Sequence, residues 1–331
     1  MKSTVGKLML VLLVTLLASG CAQKWTRAVD MDDALVTYPK LWPYGDEANS
    51  PLQQSTVDLV TELSILSSNV YAKNEDKDDF KLPDPWVWDL ADWQDGKTIK
   101  SESGLAYRIY EKRENGHTSI AIVFRGTHFL SWGDLMTNTS LYHKLGLKDQ
   151  YWYAREEIKE IFEKYYPGAF CSPDYTVIAT GHSLGGGLAS SMSLSFPCVV
   201  TIAFNSSPVK RINAMEKPYN LAPYLYLHEG GDPLELSNKF KGFGNLAYAT
   251  VETTKQVNCI SAHGIVNLAL GLMSCSESPR PDFKEIYDGY VAKKKLKNLI
   301  DIRSTEPRDD YSGCLEESWH KTQFLGVEKP E

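Results

Sequence analysis

The chain lacks the patterns on which metal and redox chemistry rest. It has no C-x-x-C, no H-E-x-x-H and no cluster of cysteine with histidine, so a zinc site is not expected. Asn74 to Asp79 (NEDKDD) is acidic but lacks the glycine and closing glutamate of a calcium loop, and reads as a solvated turn. The apolar run Leu8 to Ala18 has eleven residues, against the roughly 20 needed to cross a bilayer. No collagen-like or coiled-coil period is present, which excludes fibrous classes. Basic charge is also scarce: 35 Lys and Arg face 42 Asp and Glu, for a net charge of −7. Lys293, Lys294, Lys295 and Lys297 form the only dense basic run and read as a solvated helix face, so nucleic acid is not an expected partner. What is present is 331 residues, 43% hydrophobic and 11% aromatic, enough for a globular protein with a sizeable core.

The first segment reads as an address. Lys2 and Lys7 precede the short apolar run, and Ser19-Gly20-Cys21 follow it, as in a secretory signal peptide. Small residues before a cysteine resemble a bacterial lipobox, although Ala18 stands where the usual motif has Leu. The resemblance implies residues 1–20 as a lipoprotein signal peptide, lipidation of Cys21, and a protein anchored by lipid in the bacterial cell envelope. Ala22 rather than Asp after the cysteine implies the outer membrane, and an ordinary signal peptide cut nearby is the alternative. Lipid chains contribute about 0.8 kcal/mol per buried methylene, so they would tether an otherwise soluble domain to the membrane. Residues 21–52 carry Pro, Trp and Asp without period and read as a tether with an irregular start. Export permits disulfides among Cys171, Cys198, Cys259, Cys275 and Cys314, with one thiol at least left over and the pairing open.

Residues 53–300 form the expected folded domain, and 301–331 a polar tail. Ser55 to Tyr71 places Leu59, Leu63, Leu66 and Val70 at helical spacing. Trp86, Trp88 and Trp93 cluster in a proline-containing stretch that either lines a cleft or covers a core edge. Ala106 to Arg113 alternates apolar and polar residues, as a strand with one exposed face should. Ser119 to Phe124 (SIAIVF) reads as a strand buried on both faces. Asp149 to Tyr166 puts Ile158, Ile161, Phe162 and Tyr165 on one helical face and stops at Pro167-Gly168. The runs YTVIAT (175–180), VVTIAF (199–204) and YLYLH (224–228) repeat the short apolar theme. Strands alternating with helices predict an α/β fold with a mostly parallel central sheet and helices on both faces. Chemistry then belongs at the carboxyl ends of the strands.

At the end of YTVIAT stands Gly181-His182-Ser183-Leu184-Gly185, followed by Gly186, Gly187 and an apolar helical run. This is G-x-S-x-G in the context it needs, strand then turn then helix. The sharp turn forces a strained backbone at the central residue, and the flanking glycines remove side chains that would collide. Ser183 is thereby presented at a helix N-terminus, where the backbone N–H of Leu184 can meet an oxyanion.

A serine is a poor nucleophile unless a histidine accepts its proton and a carboxylate orients that histidine. Asp232 follows directly on YLYLH within His228-Glu229-Gly230-Gly231-Asp232-Pro233, where an orienting acid belongs, with Glu229 and Glu235 as nearby rivals. Of the downstream histidines, His228 lies inside the strand before the acid and His320 in the polar tail. His263, just ahead of the apolar stretch Ile265 to Met273, is the preferred base. Phe124-Arg125-Gly126-Thr127 ends the strand SIAIVF and is the candidate source of a second oxyanion donor.

Phe124 to Thr127, Trp132-Gly133-Asp134-Leu135 and Gly181 to Gly185 with two further glycines together resemble the lipase class 3, fungal-lipase-like, branch of the α/β-hydrolases. The similarity spans roughly residues 100 to 275. It implies Ser183 as nucleophile, Asp232 as acid, His263 as base and Thr127 as oxyanion residue, with a lid at His128 to Trp132 in which Phe129, Leu130 and Trp132 are candidate acyl-binding residues. The intervals from serine to acid and from acid to histidine are shorter than in the fungal members. The implied activity is serine carboxylester hydrolysis of lipid esters without cofactor or metal. Triacylglycerol lipase, phospholipase A1 and short-chain esterase remain open, as do acyl transfer to another acceptor and a non-catalytic envelope lipoprotein that uses the fold to bind lipid or a partner.

Overall fold

The computed structural model describes residues 54–101, 103–126, 150–196, 198–207, 224–229, 232, 246–251, 263–274, 280–295 and 323–325. In chain order these give helix α1 (Gln54–Asn69), strands β1 (Asp89–Leu90), β2 (Ile99–Lys100), β3 (Ala106–Glu114) and β4 (His117–Phe124), and helix α2 (Gln150–Tyr165). Then come β5 (Tyr175–His182), α3 (Leu184–Ser195), β6 (Val199–Phe204), β7 (Tyr224–Glu229), β8 (Leu246–Val251), α4 (Ile265–Ser274), α5 (Pro281–Lys295) and β9 (Gln323–Leu325).

The strands form one sheet in the order β1-β3-β4-β5-β6-β7-β8-β9, with β2 also on β3. Neighbours from β4 through β8 are parallel, whereas β3 with β4 and β8 with β9 are antiparallel. Residues 301–331, expected as a polar tail, thus supply a strand. β9 pairs backbone groups of β8 that would otherwise form an open edge, which is the physical reason for recruiting it.

Alternation along the central strands builds two cores, one on each face of the sheet. Ile120, Ile122 and Phe124 of β4, with Val177 and Ala179 of β5, pack against α2 and α3. Ala121, Val123 and Ile178, together with Leu225 and Leu227, face α1, α4 and α5 on the other side. Both faces of the expected double-buried strand are therefore covered by helices. On α2 the stripe that packs inward is Tyr151, Ala154, Ile158 and Phe162, while Tyr165, expected on the same face, is 38% exposed.

β3 departs from the expected exposed face. Its first five residues are buried, and Arg108 among them has no exposed surface. Arg108 is accommodated by a fork: Nη1 and Nη2 each donate to a carboxylate oxygen of Asp78 at 2.9 Å, Nε donates to Thr98 Oγ1 at 2.8 Å, and Nη1 also to Tyr110 at 3.0 Å. The segment Asn74 to Asp79 is accordingly no solvated turn throughout, because Asp78 is buried as the counter-ion. Lys293, read as part of a solvated face, donates to the carbonyl of Asp78. The chain is buried all round from Val60 to Val70, along α1 and just past its end, and two of its polar residues have firm partners there. Glu62 accepts from Trp88 Nε1 and Arg280, and Asn69 exchanges two hydrogen bonds with the backbone of Phe80. Trp86 and Trp88 cover this core rather than line a cleft.

Candidate active site

β5 runs straight into the turn that presents Ser183. At Ser183 φ is +58° and ψ −124°, a conformation that costs a residue with a side chain about 1–3 kcal/mol and persists only where the surroundings over-determine it. They do so through three backbone bonds. Ser183 N–H donates to Phe204 O at 3.1 Å, and its carbonyl accepts from Gly187 at 3.2 Å and Ser207 at 2.9 Å. A Cβ on Gly185 would run into the carbonyl of Phe124, and one on Gly181 would lie 2.6 Å from the same oxygen. Glycine at both positions is thus what lets the turn close on the end of β4. Leu184 opens α3, so its backbone N–H has no acceptor one turn earlier within the helix. Ser183 itself is buried, at 2% exposure.

Gly126, at the end of β4, lies against this turn: a Cβ there would stand 3.3 Å from that of Ser183. Thr127 follows directly, and it, Phe129, Leu130 and Trp132 lie outside the described residues, as does Cys21.

Asp232 sits one turn beyond β7, with its N–H donating to Glu229 O at 3.0 Å. Its Oδ1 accepts from His263 Nδ1 at 2.8 Å, and its Oδ2 from His228 Nδ1 at 3.1 Å. All three side chains are buried. Burial alone would raise the Asp232 carboxyl, but the hydrogen bonds from His228 and His263 outweigh it and hold the group well below the usual carboxylate range. An ionised carboxylate on Nδ1 fixes that nitrogen of His263 as the N–H and leaves Nε2 with the lone pair, which is the tautomer a general base requires.

His263 is tied to the nucleophile turn through its neighbour. The rings of His182 and His263 lie 4.7 Å apart between centroids, and His182 Nε2–H donates to the His263 carbonyl. Burial first, and the nearby His263 second, push His182 down to about 3, so it is neutral. With Nε2 the donor, its Nδ1 accepts, and the partner is the Tyr71 hydroxyl at 3.0 Å. Tyr71 in turn is hydrogen-bonded by the backbone of Gly126, and burial lifts its phenol far above the ordinary value. A continuous chain therefore runs from the end of β4 through Tyr71 and His182 to the backbone of His263.

Of the residues singled out from sequence, the structure brings Asp232 and His263 into direct contact and sets His263 against His182, next to Ser183. It does not bring in Glu229 as the acid that His263 contacts, although Glu229 is buried nearby. Tyr71, His182 and His228 were missed as site residues. His182 lies inside the motif and could have been found there. Tyr71 sits in the turn after α1, more than a hundred residues away, and its role is visible only in three dimensions. Among the described residues no group of His, Cys, Asp and Glu could hold a metal ion.

A mostly parallel sheet flanked on both faces, with a strained serine between a strand and a helix and an aspartate just beyond β7 paired with a histidine just ahead of α4, settles the architecture. The fold is that of an α/β-hydrolase. Residues 62–222 match the family model described as Phospholipase-like, Tle-like phospholipase domain. That stretch includes Gly126, Thr127 and Ser183 and stops before Asp232. Solved structures similar to the chain include a triacylglycerol lipase from Penicillium expansum, 17% identical, with 61% of this chain and 82% of that one covered at a TM-score of 0.35. The triacylglyceride lipase of Rhizomucor miehei is 16% identical over 61% and 82% of the two chains, at a TM-score of 0.36. Lip2 lipase from Yarrowia lipolytica is 14% identical over 60% and 80%, also at 0.36. No curated protein matches the chain.

Proposed function

We propose that this protein is a serine carboxylester hydrolase acting on lipid esters, of the phospholipase A1 or triacylglycerol lipase type. The observation that carries the reading is the strained Ser183, whose neighbour His182 packs against the His263 imidazole, together with the buried carboxylate that holds Nδ1 of that imidazole. In this reaction His263 Nε2 takes the Ser183 proton as Oγ attacks the ester carbonyl. The negative oxygen that forms is met by the Leu184 N–H and by a donor at Thr127. His263 then gives its proton to the departing alcohol, which leaves an acyl-serine. Water loses a proton to His263, attacks the acyl carbon and releases the fatty acid, and the proton returns to Ser183. Asp232 stays ionised and stabilises the imidazolium throughout. No step calls for a cofactor or a metal.

The match to a phospholipase-like family model favours phospholipid over stored fat as the substrate. Lipid attachment at Cys21 would hold the domain at the outer membrane of a bacterial envelope, close to such a substrate, and Phe129, Leu130 and Trp132 would meet the acyl chain. The Cys171–Cys198 bridge agrees with an oxidising compartment.

Labelling by a fluorophosphonate and hydrolysis of a panel of p-nitrophenyl esters, phospholipids and triacylglycerols test the reading. Wild type should label and turn over, and Ser183→Ala should do neither, with a loss of up to roughly 10⁶ in kcat. Hydrolysis by Ser183→Ala at the wild-type rate would refute it. A wild type that never labels would point instead to a lipoprotein that uses the fold for binding.

A further inference from the structure

A carboxylate has two oxygens, and His263 occupies only one of those on Asp232. The other is held by His228, a residue of β7 with no exposed surface. Strand β7 is flanked by β6 and β8, and backbone register sets His228 beside Thr250. The His228 ring also lies parallel to that of Tyr226, at 6.3 Å between centroids. This histidine is therefore fixed by the sheet, whereas Asp232 stands on a loop and depends on its partners for orientation.

We infer that His228 is a positioning residue: its Nδ1–H grips Oδ2 of Asp232, so that Oδ1 is aimed at His263 and only part of the carboxylate charge is left to act on that imidazole. The inference rests on the hydrolase reading above. Its physics is simple. A carboxyl group turns readily about its last torsion, so one hydrogen bond fixes a point while two fix the plane. Charge shared between two donors also attracts each proton less than charge offered to one. Among the described residues, the other charged or titratable groups in this neighbourhood are His182 from β5, against the His263 ring, and Glu229, next to His228 in β7. Behind His182 stand Tyr71, just past α1, and Arg125, just past β4, and the Tyr226 ring lies parallel to that of His228. None of these contacts supplies the bond to Oδ2 that His228 makes.

The test compares full-length wild type, His228→Leu and His228→Asn by pH–rate profiles on p-nitrophenyl butyrate, with active serines counted by fluorophosphonate labelling. Asparagine places an amide N–H near the position of Nδ1, so it is the rescue variant. Leucine should lower kcat by about tenfold or more, as expected for a lost hydrogen bond to a charged group. It should also move the acid limb of kcat/KM to higher pH, because the unshared Asp232 carboxylate then holds the His263 imidazolium more tightly. Asparagine should return both quantities toward wild type. A labelled, folded His228→Leu with the wild-type limb and kcat would overturn the inference, as would asparagine doing no better than leucine. Proton spectra of the wild type give a readout that needs no variant of His228 to fold: two downfield imidazole N–H signals are expected, both displaced in Asp232→Asn. Displacement of only one would contradict the shared carboxylate. Failure of the wild type to label would sink the hydrolase reading while leaving these two signals in place, so the two failures are distinguishable.

Discussion

Gly126→Ala adds a single methyl group where the end of β4 meets the nucleophile turn. That carbon would lie 2.5 Å from the carbonyl oxygen of His182, 2.5 Å from the Tyr71 hydroxyl and 3.3 Å from the Cβ of Ser183. An ordinary carbon–oxygen contact is about 3.3 Å, so the end of β4 must retreat by roughly 0.8 Å. The His182 carbonyl cannot yield in its place, because it belongs to the backbone immediately before the strained turn. Thr127 is bonded to Gly126 and must move with it. Oxyanion donors act at about 2.7–3.1 Å from the developing charge, so on the role proposed for Thr127 a retreat of this size should cost about 10² to 10³ in kcat. KM for a soluble ester should hardly change, since the lost interaction forms only in the transition state. Overpacking should also lower stability by about 1–3 kcal/mol, which a urea titration reads separately. The assay is turnover of p-nitrophenyl butyrate per labelled serine. Adding Tyr71→Phe removes one of the two obstructing oxygens but also the partner of His182 Nδ1, and the double variant should regain little kcat because the His182 carbonyl remains. A folded Gly126→Ala with kcat within about threefold of wild type would show that β4 does not supply an oxyanion donor.

Asp232→Asn should leave the fold intact and lower kcat by about 10⁴, because the amide can present its N–H to His263 and favour the wrong tautomer; steady-state kinetics beside a circular dichroism spectrum checks this. Arg108→Met should destabilise the protein by about 3–5 kcal/mol at pH 8, since it strands the buried Asp78 carboxylate, whereas Arg108→Met with Asp78→Leu should recover most of the loss. Burial already lifts Asp78 to about 6 despite the opposing hydrogen bond from Arg108, and without the guanidinium it rises further. A raised carboxyl takes its proton in the folded state first, so the penalty in Arg108→Met should shrink as pH falls from 8 to 5; a constant penalty in urea titrations would contradict this. His182 is depressed to about 3, so its contribution to stability is complete above the unfolded value of 6.5 and is lost as pH falls toward 3, at about 1.4 kcal/mol per pH unit in that window. His182→Asn should flatten the fall in urea midpoint between pH 6 and 4, and an unchanged slope would show that His182 is not held neutral.

The parts legible in the sequence are those set by local rules. SIAIVF and YTVIAT are apolar on both faces and became β4 and β5, because only a sheet covered on both sides can use such runs. Gly181 and Gly185 announced the turn because no other residue lets the chain pass so close to the end of β4. What escaped were polar residues whose meaning depends on a distant partner. Arg108 looks like an outward-facing residue of an alternating strand until Asp78, thirty residues earlier, is placed beside it. Tyr71 reads as the end of an apolar helix, and only the packing of that helix against β4 and β5 brings its hydroxyl to His182. His228 was set aside because it precedes the acid in the chain. A residue four positions from Asp232 could still be expected to meet it across the turn that closes between Glu229 and Asp232.

The short intervals between the three site residues follow from the strand order. β5, β6 and β7 are adjacent and parallel, with Gly181 beside Ala203 and Ala203 beside Tyr226, so their carboxyl ends share one edge of the sheet. From Ser183 the chain needs α3, β6 and β7 to reach that edge again, and Asp232 stands one turn beyond it. β8 follows, and the return to His263 ends at the start of α4, which packs on α1 against the same face as Ile178, Ile202 and Leu225. Among the described residues the spacing of Asp232 and His263 is held through polar contacts, from His228 to Asp232, from Asp232 to His263, and from His263 through His182 to Tyr71. The histidines and the carboxylate in that chain of contacts are buried, so removing one loses a hydrogen bond away from water, at a cost of about 1–3 kcal/mol. Stability and geometry at the site are therefore coupled, and variants of these residues should lose both together, whereas Ser183→Ala should lose activity alone.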